Sequence, residues 1–186
     1  MTNAMFKKFS MEVVQSQNKS KSSVQRAVRT QLAEQFPSME AYWEEILPSK
    51  SDLILVKCQN HITLVTFEKR VVFFQERDGP YCPVLRLLQQ FPEMLPKMRV
   101  DIGGCKHVLG GANIMCPGLT SKGGCMDEGV AKSAVVGIYV EGKEHPCAIG
   151  IMKMSGDEIK KINKGHGIEN VHYMGDGLWH MPILDA

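Results

Sequence analysis

Cys116, followed by Pro117 and Gly118, is the side chain best suited to nucleophilic chemistry, with His107 or His180 as candidate bases. Cysteine catalysis requires a thiol pKa lowered by a helix N-terminus or a neighbouring cation. The sequence shows neither, so Cys116 is read as a buried structural thiol. The six cysteines, at positions 58, 82, 105, 116, 125 and 147, contain no CxxC pair. His166, His172 and His180 never fall at the i, i+4 spacing that grips a metal on one helix face. The expected catalytic set, metal set and cofactor set are therefore all empty.

The stretch Gly110-Gly111-Ala112-Asn113-Ile114-Met115-Cys116-Pro117-Gly118-Leu119 is the most informative in the chain. It fits neither the GxGxxG nor the GK[ST] phosphate-loop pattern. Two readings stay open: a structural turn, which composition favours, and a backbone that approaches a ligand closely and offers free amides to a phosphate. Gly175-Asp176-Gly177 reads as a hairpin turn between two final strands.

Elements that would position these residues follow from periodicity. After an apolar lead at Met5, Phe6 and Phe9, residues 10–23 read as a polar, flexible loop. Val24, Val28, Leu32 and Phe36 recur every fourth residue, which predicts a helix stopped by Pro37; Ser38 then caps a short second helix carrying Met39, Tyr42, Trp43, Ile46 and Leu47. Leu53–Val56, Ile62–Phe67 and Val71–Phe74 predict an antiparallel meander. Pro83 falls in the first turn of a helix bearing Val84, Leu87, Leu88 and Phe91, and Pro92 and Pro96 bracket the best boundary, near residue 97. Beyond it glycines accumulate between short apolar runs, predicting strands at Ala134–Val140, Cys147–Met152, Val171–Met174 and Leu178–Met181. Ser155 and Glu158 form a capping box for one helix, with Gly165 as its stop, and Cys105–Leu109 is a second. The fold class is α+β: an N-terminal α+β domain over 1–97, then a β pseudobarrel with two short helices over 98–186.

Composition bounds the partners. At 44% hydrophobic and 23% charged the 186 residues are those of a globular chain, not a disordered or collagen-like one. The longest uncharged stretch, between Lys106 and Lys122, is 15 residues broken by glycines and a proline, too short to cross a bilayer. No apolar run follows Lys7 and Lys8, so no secretory signal is read, and a cytoplasmic location is the expectation. Lys7, Lys8, Arg26 and Arg29 sit in a basic N-terminal stretch that is either a solvated face or a contact for RNA phosphate.

The run from His107 to Leu119 closely resembles the signature of the PUA domain, an RNA-binding pseudobarrel. Ala148–Ser155, Asn163-Lys164-Gly165 and Asp176–Met181 follow in the order that domain requires. With Met5–Phe9, Glu34–Pro37, Phe73-Phe74-Gln75 and Leu85–Leu88, the whole chain resembles the malignant T-cell-amplified sequence protein family. The resemblance implies a translation factor with no catalytic activity, paired with a density-regulated protein homologue. It implies action at the small ribosomal subunit, in reinitiation and in removal of deacylated tRNA after termination. The RNA surface would comprise Lys106, Gly111, Ala112, Asn113, Met115, Pro117 and Gly118, with a closing strand at Trp179 and His180, and its ligand would be a tRNA acceptor end. Lys7, Lys8, Arg26 and Arg29 would be available to ribosomal RNA.

This chain departs from the family pattern in three places: Ile102 where a lysine is common, His107 where an aromatic is expected, and the loop 122–128, whose Asp127-Glu128 pair would repel a phosphate. Two rival readings stand beside the first. One is an RNA-modification accessory or enzyme subunit carrying a PUA domain; against it, residues 1–97 lack a recognisable catalytic constellation. The other is a protein adaptor that never touches RNA.

Overall fold

The computed structural model describes residues 5–184. These divide into two compact units, one of Ser10–Val84 with residues 181–184, the other of residues 5–9 with Leu85–His180.

In the first unit the elements are β1 (Val14–Lys19), α1 (Ser22–Gln35), α2 (Trp43–Ile46), β2 (Ile54–Cys58), β3 (Ile62–Phe67), β4 (Arg70–Glu76) and β5 (Cys82–Pro83). The strands form one antiparallel sheet in sequence order, β1-β2-β3-β4-β5. The fourfold stripe of α1 buries Val28, Leu32 and the following Phe36, while Val24 at the solvent end stays exposed. Phe36 stacks on Phe73 at 5.7 Å between ring centroids, and Trp43 lies 6.2 Å from the same ring. Buried Leu53, Val56, Leu64 and Phe74 continue that core. Two glutamines of α1 act as backbone surrogates: Gln25 donates to Ser20 carbonyl and accepts from Leu53 amide, and Gln35 donates to Tyr81 carbonyl and accepts from Tyr81 amide. Residues 182–184 pair with the start of β4, Val71 amide donating to Pro182 carbonyl and Leu184 amide to Lys69 carbonyl.

Several sequence expectations change here. Residues 10–23 are not a loop: they hold a 3-10 turn, Met11–Val13, the strand β1 and the start of α1. The strand is polar because it is an edge with little buried surface, so it is held by its ladder to β2 and leaves no apolar alternation to read. Ser38 lies inside a 3-10 turn, Pro37–Tyr42, that runs into α2, and is not at the cap position of either. Pro83 ends the short strand β5 instead of opening the next helix.

The second unit contains α3 (Leu85–Gln90), β6 (Lys97–Val100), α4 (Cys105–Leu109), β7 (Ile114–Met115), α5 (Cys116–Thr120), β8 (Cys125–Met126), β9 (Val135–Val140), β10 (Ala148–Met152), α6 (Gly156–Ile162), β11 (His166–Tyr173) and α7 (Gly177–His180). Its six strands run in the order β7-β11-β10-β9-β6-β8, with only β6 and β9 parallel, and curl into a half-barrel. The core is one cluster including Met98, Val100, Val136, Ile138, Ile159 and Ile168. α3 belongs here: Gln89 donates to Pro146 carbonyl, and Leu88 lies so close to Gly137 that a Cβ there would come within 2.9 Å of its Cδ2. Residues 5–9 do as well, since Phe6 is fully buried and its carbonyl accepts from Gly177 amide. The packing therefore places 85–97 and the N-terminal turn with the later residues, whereas the compositional boundary near 97 follows the linear chain.

The capping box forms as read, Glu158 amide donating to Ser155 Oγ and Ser155 amide to Glu158 Oε2, and both contacts hold the Glu158 carboxyl below its usual range. Residues 178–181 do not form a strand. Asp176 Oδ1 accepts from Trp179 amide, the N-cap geometry, and α7 results. Gly175, at φ 96°, turns the chain out of β11 into that helix, so the 175–177 turn does not join two strands.

Gly150 tests the packing between β10 and β11. A Cβ there would meet Ile168 Cγ2 at 2.4 Å and Glu169 carbonyl at 3.0 Å. Gly150→Ala is expected to lower unfolding free energy by about 1–3 kcal/mol, read as a lower urea midpoint at unchanged slope.

Candidate nucleic-acid interface

A 3-10 turn, Ile102–Gly104, leads into α4 and is capped by Asp101, whose Oδ1 accepts from Gly104 amide at 3.0 Å while Ser121 Oγ donates to its Oδ2 at 2.7 Å. The Ser121 hydroxyl first, then the Gly104 amide, holds the Asp101 carboxyl below its ordinary range. Val108 faces the core, and Lys106, His107 and Leu109 face solvent. The helix ends on a compact turn: Gly110 amide donates to the Lys106 and His107 carbonyls, Gly111 amide to Val108 carbonyl, and Ala112 amide to His107 carbonyl. Gly111 takes φ 81°, the left-handed conformation that such helix ends require.

One buried residue of β11 fixes this turn to the sheet. Asn170 Nδ2 donates to Val108 carbonyl at 3.0 Å and Ala112 carbonyl at 3.2 Å, and Asn170 amide donates to Asn113 Oδ1 at 3.1 Å. Having two carbonyl partners fixes the orientation of its side-chain amide. From Asn113 the chain enters β7, paired with β11, then α5, whose Cys116 amide donates to Gly165 carbonyl at 2.9 Å. Thr120 Oγ1 donates to Asn163 Oδ1 at 2.5 Å, and Gly118 carbonyl accepts from Asp101 amide at 3.2 Å.

The structure thus brings Lys106, Gly111, Ala112, Asn113, Met115, Pro117 and Gly118 together around α4, β7 and α5. Lys106, Met115 and Pro117 are exposed, Met115 at 45%. Gly111 is buried, and Ala112, Asn113 and Gly118 are half-buried parts of the platform. The amides of Gly110, Gly111, Ala112 and Cys116 already donate within the fold, so the expected cradle of free amides is not available at those positions. Trp179 and His180 lie on α7, beyond the end of β11, and form no closing strand. The Trp179 ring carries the Arg86 guanidinium 3.9 Å above its centroid. Asp127 is not a free acid near a ligand: its carboxylate accepts from Lys97 amide at 2.7 Å and ties down the strand β6.

Of the basic N-terminal residues, Lys7, Lys8 and Arg26 are exposed. Arg29 is half-buried and donates to Leu47 carbonyl, to Ser51 carbonyl at 2.9 Å and to Ser51 Oγ at 3.2 Å, so its guanidinium holds the connection from α2 to β2. Cys116 is fully buried; its Sγ donates to Lys164 carbonyl at 3.4 Å and lies 3.8 Å from Met154 Sδ, with neither candidate base among these contacts. Burial pushes the thiol of Cys58 up to about 11 and that of Cys147 up to about 12. Among the described residues no group of three His, Cys, Asp or Glu side chains is placed to hold a metal. No described helix is long and apolar enough to cross a membrane.

Sequence reasoning missed Asn170 and the buried pair at the end of β11. Asp176 Oδ2 accepts from Tyr173 amide at 3.0 Å and lies 2.8 Å from His172 Nδ1, with both side chains enclosed. An Asp three residues ahead of Trp179 is an N-cap signal that could have found this element; a lone Asn in a strand gives none.

A glycine-turned helix end pinned to a curled mixed sheet, later in the chain than a five-stranded antiparallel unit, defines a PUA-domain protein with a preceding companion domain. Residues 7–92 match the Pre-PUA-like domain and residues 95–177 the model described as elF2D, PUA domain. The chain belongs to the malignant T-cell-amplified sequence family. It is 47% identical over 178 residues to malignant T-cell-amplified sequence 2 of Homo sapiens, covering 95% of this chain and 98% of the relative. It is 44% identical over 182 residues to translation machinery-associated protein 20 of Eremothecium gossypii, covering 97% and 100%. A hypothetical protein of Pyrococcus horikoshii shares the fold at TM-score 0.72 and 22% identity, with 90% of this chain and 99% of that chain covered. A PUA domain protein of Thermoplasma acidophilum shares it at TM-score 0.61 and 20% identity, with the same coverage.

Two outcomes follow from this geometry. A thiol reagent at pH 8 should label exposed Cys125 first and leave Cys58, Cys116 and Cys147 unlabelled until unfolding; rapid labelling of Cys116 would reveal an activated thiol instead. Because the buried Cys58 thiol keeps its proton to about pH 11 while an unfolded thiol loses it near its ordinary value of 9.0, stability should fall as pH rises through that window. Separately, Asn170→Ala removes the side-chain donor to the Ala112 carbonyl and one of the two donors to the Val108 carbonyl, which keeps the Gly111 amide, and should cost about 1–3 kcal/mol, with faster hydrogen exchange at residues 110–112.

Proposed function

We propose that this protein is a non-catalytic translation factor of the cytoplasm that receives the unpaired acceptor end of a tRNA on its PUA surface. It acts at the small ribosomal subunit, with a density-regulated protein homologue as partner, in reinitiation and in recycling after termination. Family membership supports the translation role, and one relative is itself named a translation machinery-associated protein. The observation that carries the site is the rigid platform of residues 105–120, which holds exposed Lys106, Met115 and Pro117 over a turn whose own backbone is already satisfied.

Because those amides are used internally, recognition falls to side chains. Lys106 supplies the charge for a phosphate, and exposed Lys164, whose own carbonyl accepts from Cys116 Sγ, supplies a second. Met115 and Pro117 offer apolar surface against an unstacked base. Gly111, Ala112, Asn113 and Gly118 act as the support. Exposed Lys7, Lys8 and Arg26 are available for ribosomal RNA, whereas Arg29 is committed to the fold.

Few phosphates fit such a surface, and each one neutralised on a single strand contributes about 0.7 to the slope of log affinity against log salt. The expected slope is about one to three. Lys106→Glu should weaken tRNA binding and leave the circular dichroism spectrum unchanged, because Lys106 is exposed and its side chain supports nothing in the core. Asn113→Ala is a poorer probe than its sequence position suggests, since it also removes the acceptor for Asn170 amide. The assay is tRNA binding by wild type and Lys106→Glu across a salt series, with and without the partner. Unchanged affinity in the folded variant would move the RNA surface away from α4. No tRNA binding by wild type even with the partner present would favour the adaptor reading.

A further inference from the structure

Three departures from regular backbone converge on one cleft within the first unit. β1 is bulged: Val14 pairs with Cys58 and Ser16 with Lys57, leaving Gln15 unpaired between them. The link between β2 and β3 passes through Asn60 and His61, both at φ 60°. Just past β4, Arg77 takes φ 51°, and its amide donates to His61 carbonyl at 2.8 Å. Bulges re-aim side chains, and left-handed conformations at non-glycine residues carry a cost that persists where the surroundings offset it, often at ligand sites.

These irregular residues line a cleft of about 520 Å³, within the range of about 300–1,000 Å³ that small ligands occupy. Its polar character is one-sided. Lys57, His61 and Arg77 are exposed along it with Asp78 the single carboxylate, and Gln15, Asn60 and Thr63 add neutral donors. Cys58 lines it as well, and burial keeps that thiol protonated and uncharged. Such a set is rich in donors and poor in competing acceptors. The planar Arg77 fork suits two oxygens of one phosphate, while Lys57 acts as a point charge beside it.

We propose that this cleft is an oxyanion site that takes the phosphate group of a nucleotide, whether free or within an unpaired RNA strand. All of its lining residues lie between Ser10 and Val84, so the site is independent of the platform formed by residues 105–120. A concave cleft favours a single protruding phosphate over the rail of phosphates along a duplex.

The full chain, labelled with 15N, is titrated with inorganic phosphate, with adenosine monophosphate and with hexauridylate while backbone amide signals are followed. Saturable shifts at Asn60, His61 and Arg77 are expected with at least one probe. Lys57→Ala and Arg77→Ala should each weaken that binding by about five-fold or more, and Asp78→Asn should tighten it about two-fold or more, since it removes the one repelling charge. The dispersion of remaining amide signals checks the fold of each variant. Tighter binding of hexauridylate than of the mononucleotide identifies an RNA strand as the source of the phosphate; the reverse identifies a free nucleotide. Absence of shifts at these amides with all three probes overturns the proposal, as does binding that neither Lys57→Ala nor Arg77→Ala weakens.

Discussion

The side-chain amide of Asn170 holds the second unit's candidate surface, the turn after α4, in register with the sheet. It stands at a buried position of β11 and donates to two carbonyls of the turn after α4, that of Ala112 and that of Val108, which also accepts from the Gly111 amide. A buried carbonyl without a donor is costly, and a side-chain amide offers two donors from one position. Once Asn170 is in place, its own backbone amide selects Asn113, Asn113 leads into β7, and the β7–β11 pairing aligns Cys116 with Gly165. Everything outward-facing on α4 and α5, Lys106, Met115 and Pro117 included, inherits its direction from that chain of contacts.

How far the sequence foretold this depends on the kind of signal each element carries. The α1 stripe, the three-strand meander, α4 and the capping box of α6 were legible because apolar spacing or cap chemistry specifies them locally. The strand β1 was not, because an exposed edge strand is held by backbone pairing and needs no apolar pattern. Residues 178–181 misled because an apolar run that short suits a strand or a buried helical turn equally well; Asp176 decides, by accepting from Trp179 amide. The platform residues were singled out through family resemblance alone. Their separation into exposed and buried positions was not legible, since it rests on Asn170, which is distant in sequence.

The termini show why a boundary drawn on composition follows the chain and not the packing. Phe6 is buried against His172 at 5.8 Å between rings, and Gly177 is glycine because a Cβ there would lie 2.6 Å from Phe9 carbonyl oxygen. Those contacts assign residues 5–9 to the unit that ends the chain's second half. Residues 182–184 add a short pairing to β4 of the other. Each unit is thus completed by a terminal segment remote in sequence, information that no local window of composition contains.

Satisfied backbone also shapes what the platform can recognise. A loop with free amides would grip any phosphate of suitable geometry, as phosphate loops do. Here the glycines of residues 110–111 close a helix, and their amides return to that helix. At Gly110 and Gly111 the glycines therefore serve a tight turn, and the amides there are not available for anion capture. The charge on the platform face is then carried by lysine side chains, point charges on flexible stems without the rigid geometry of an amide nest. The fixed apolar parts of the face are Met115 and Pro117, whose positions follow from β7 and α5. Such a surface is the kind that the proposed reading requires, one on which shape and stacking outweigh dense phosphate contact.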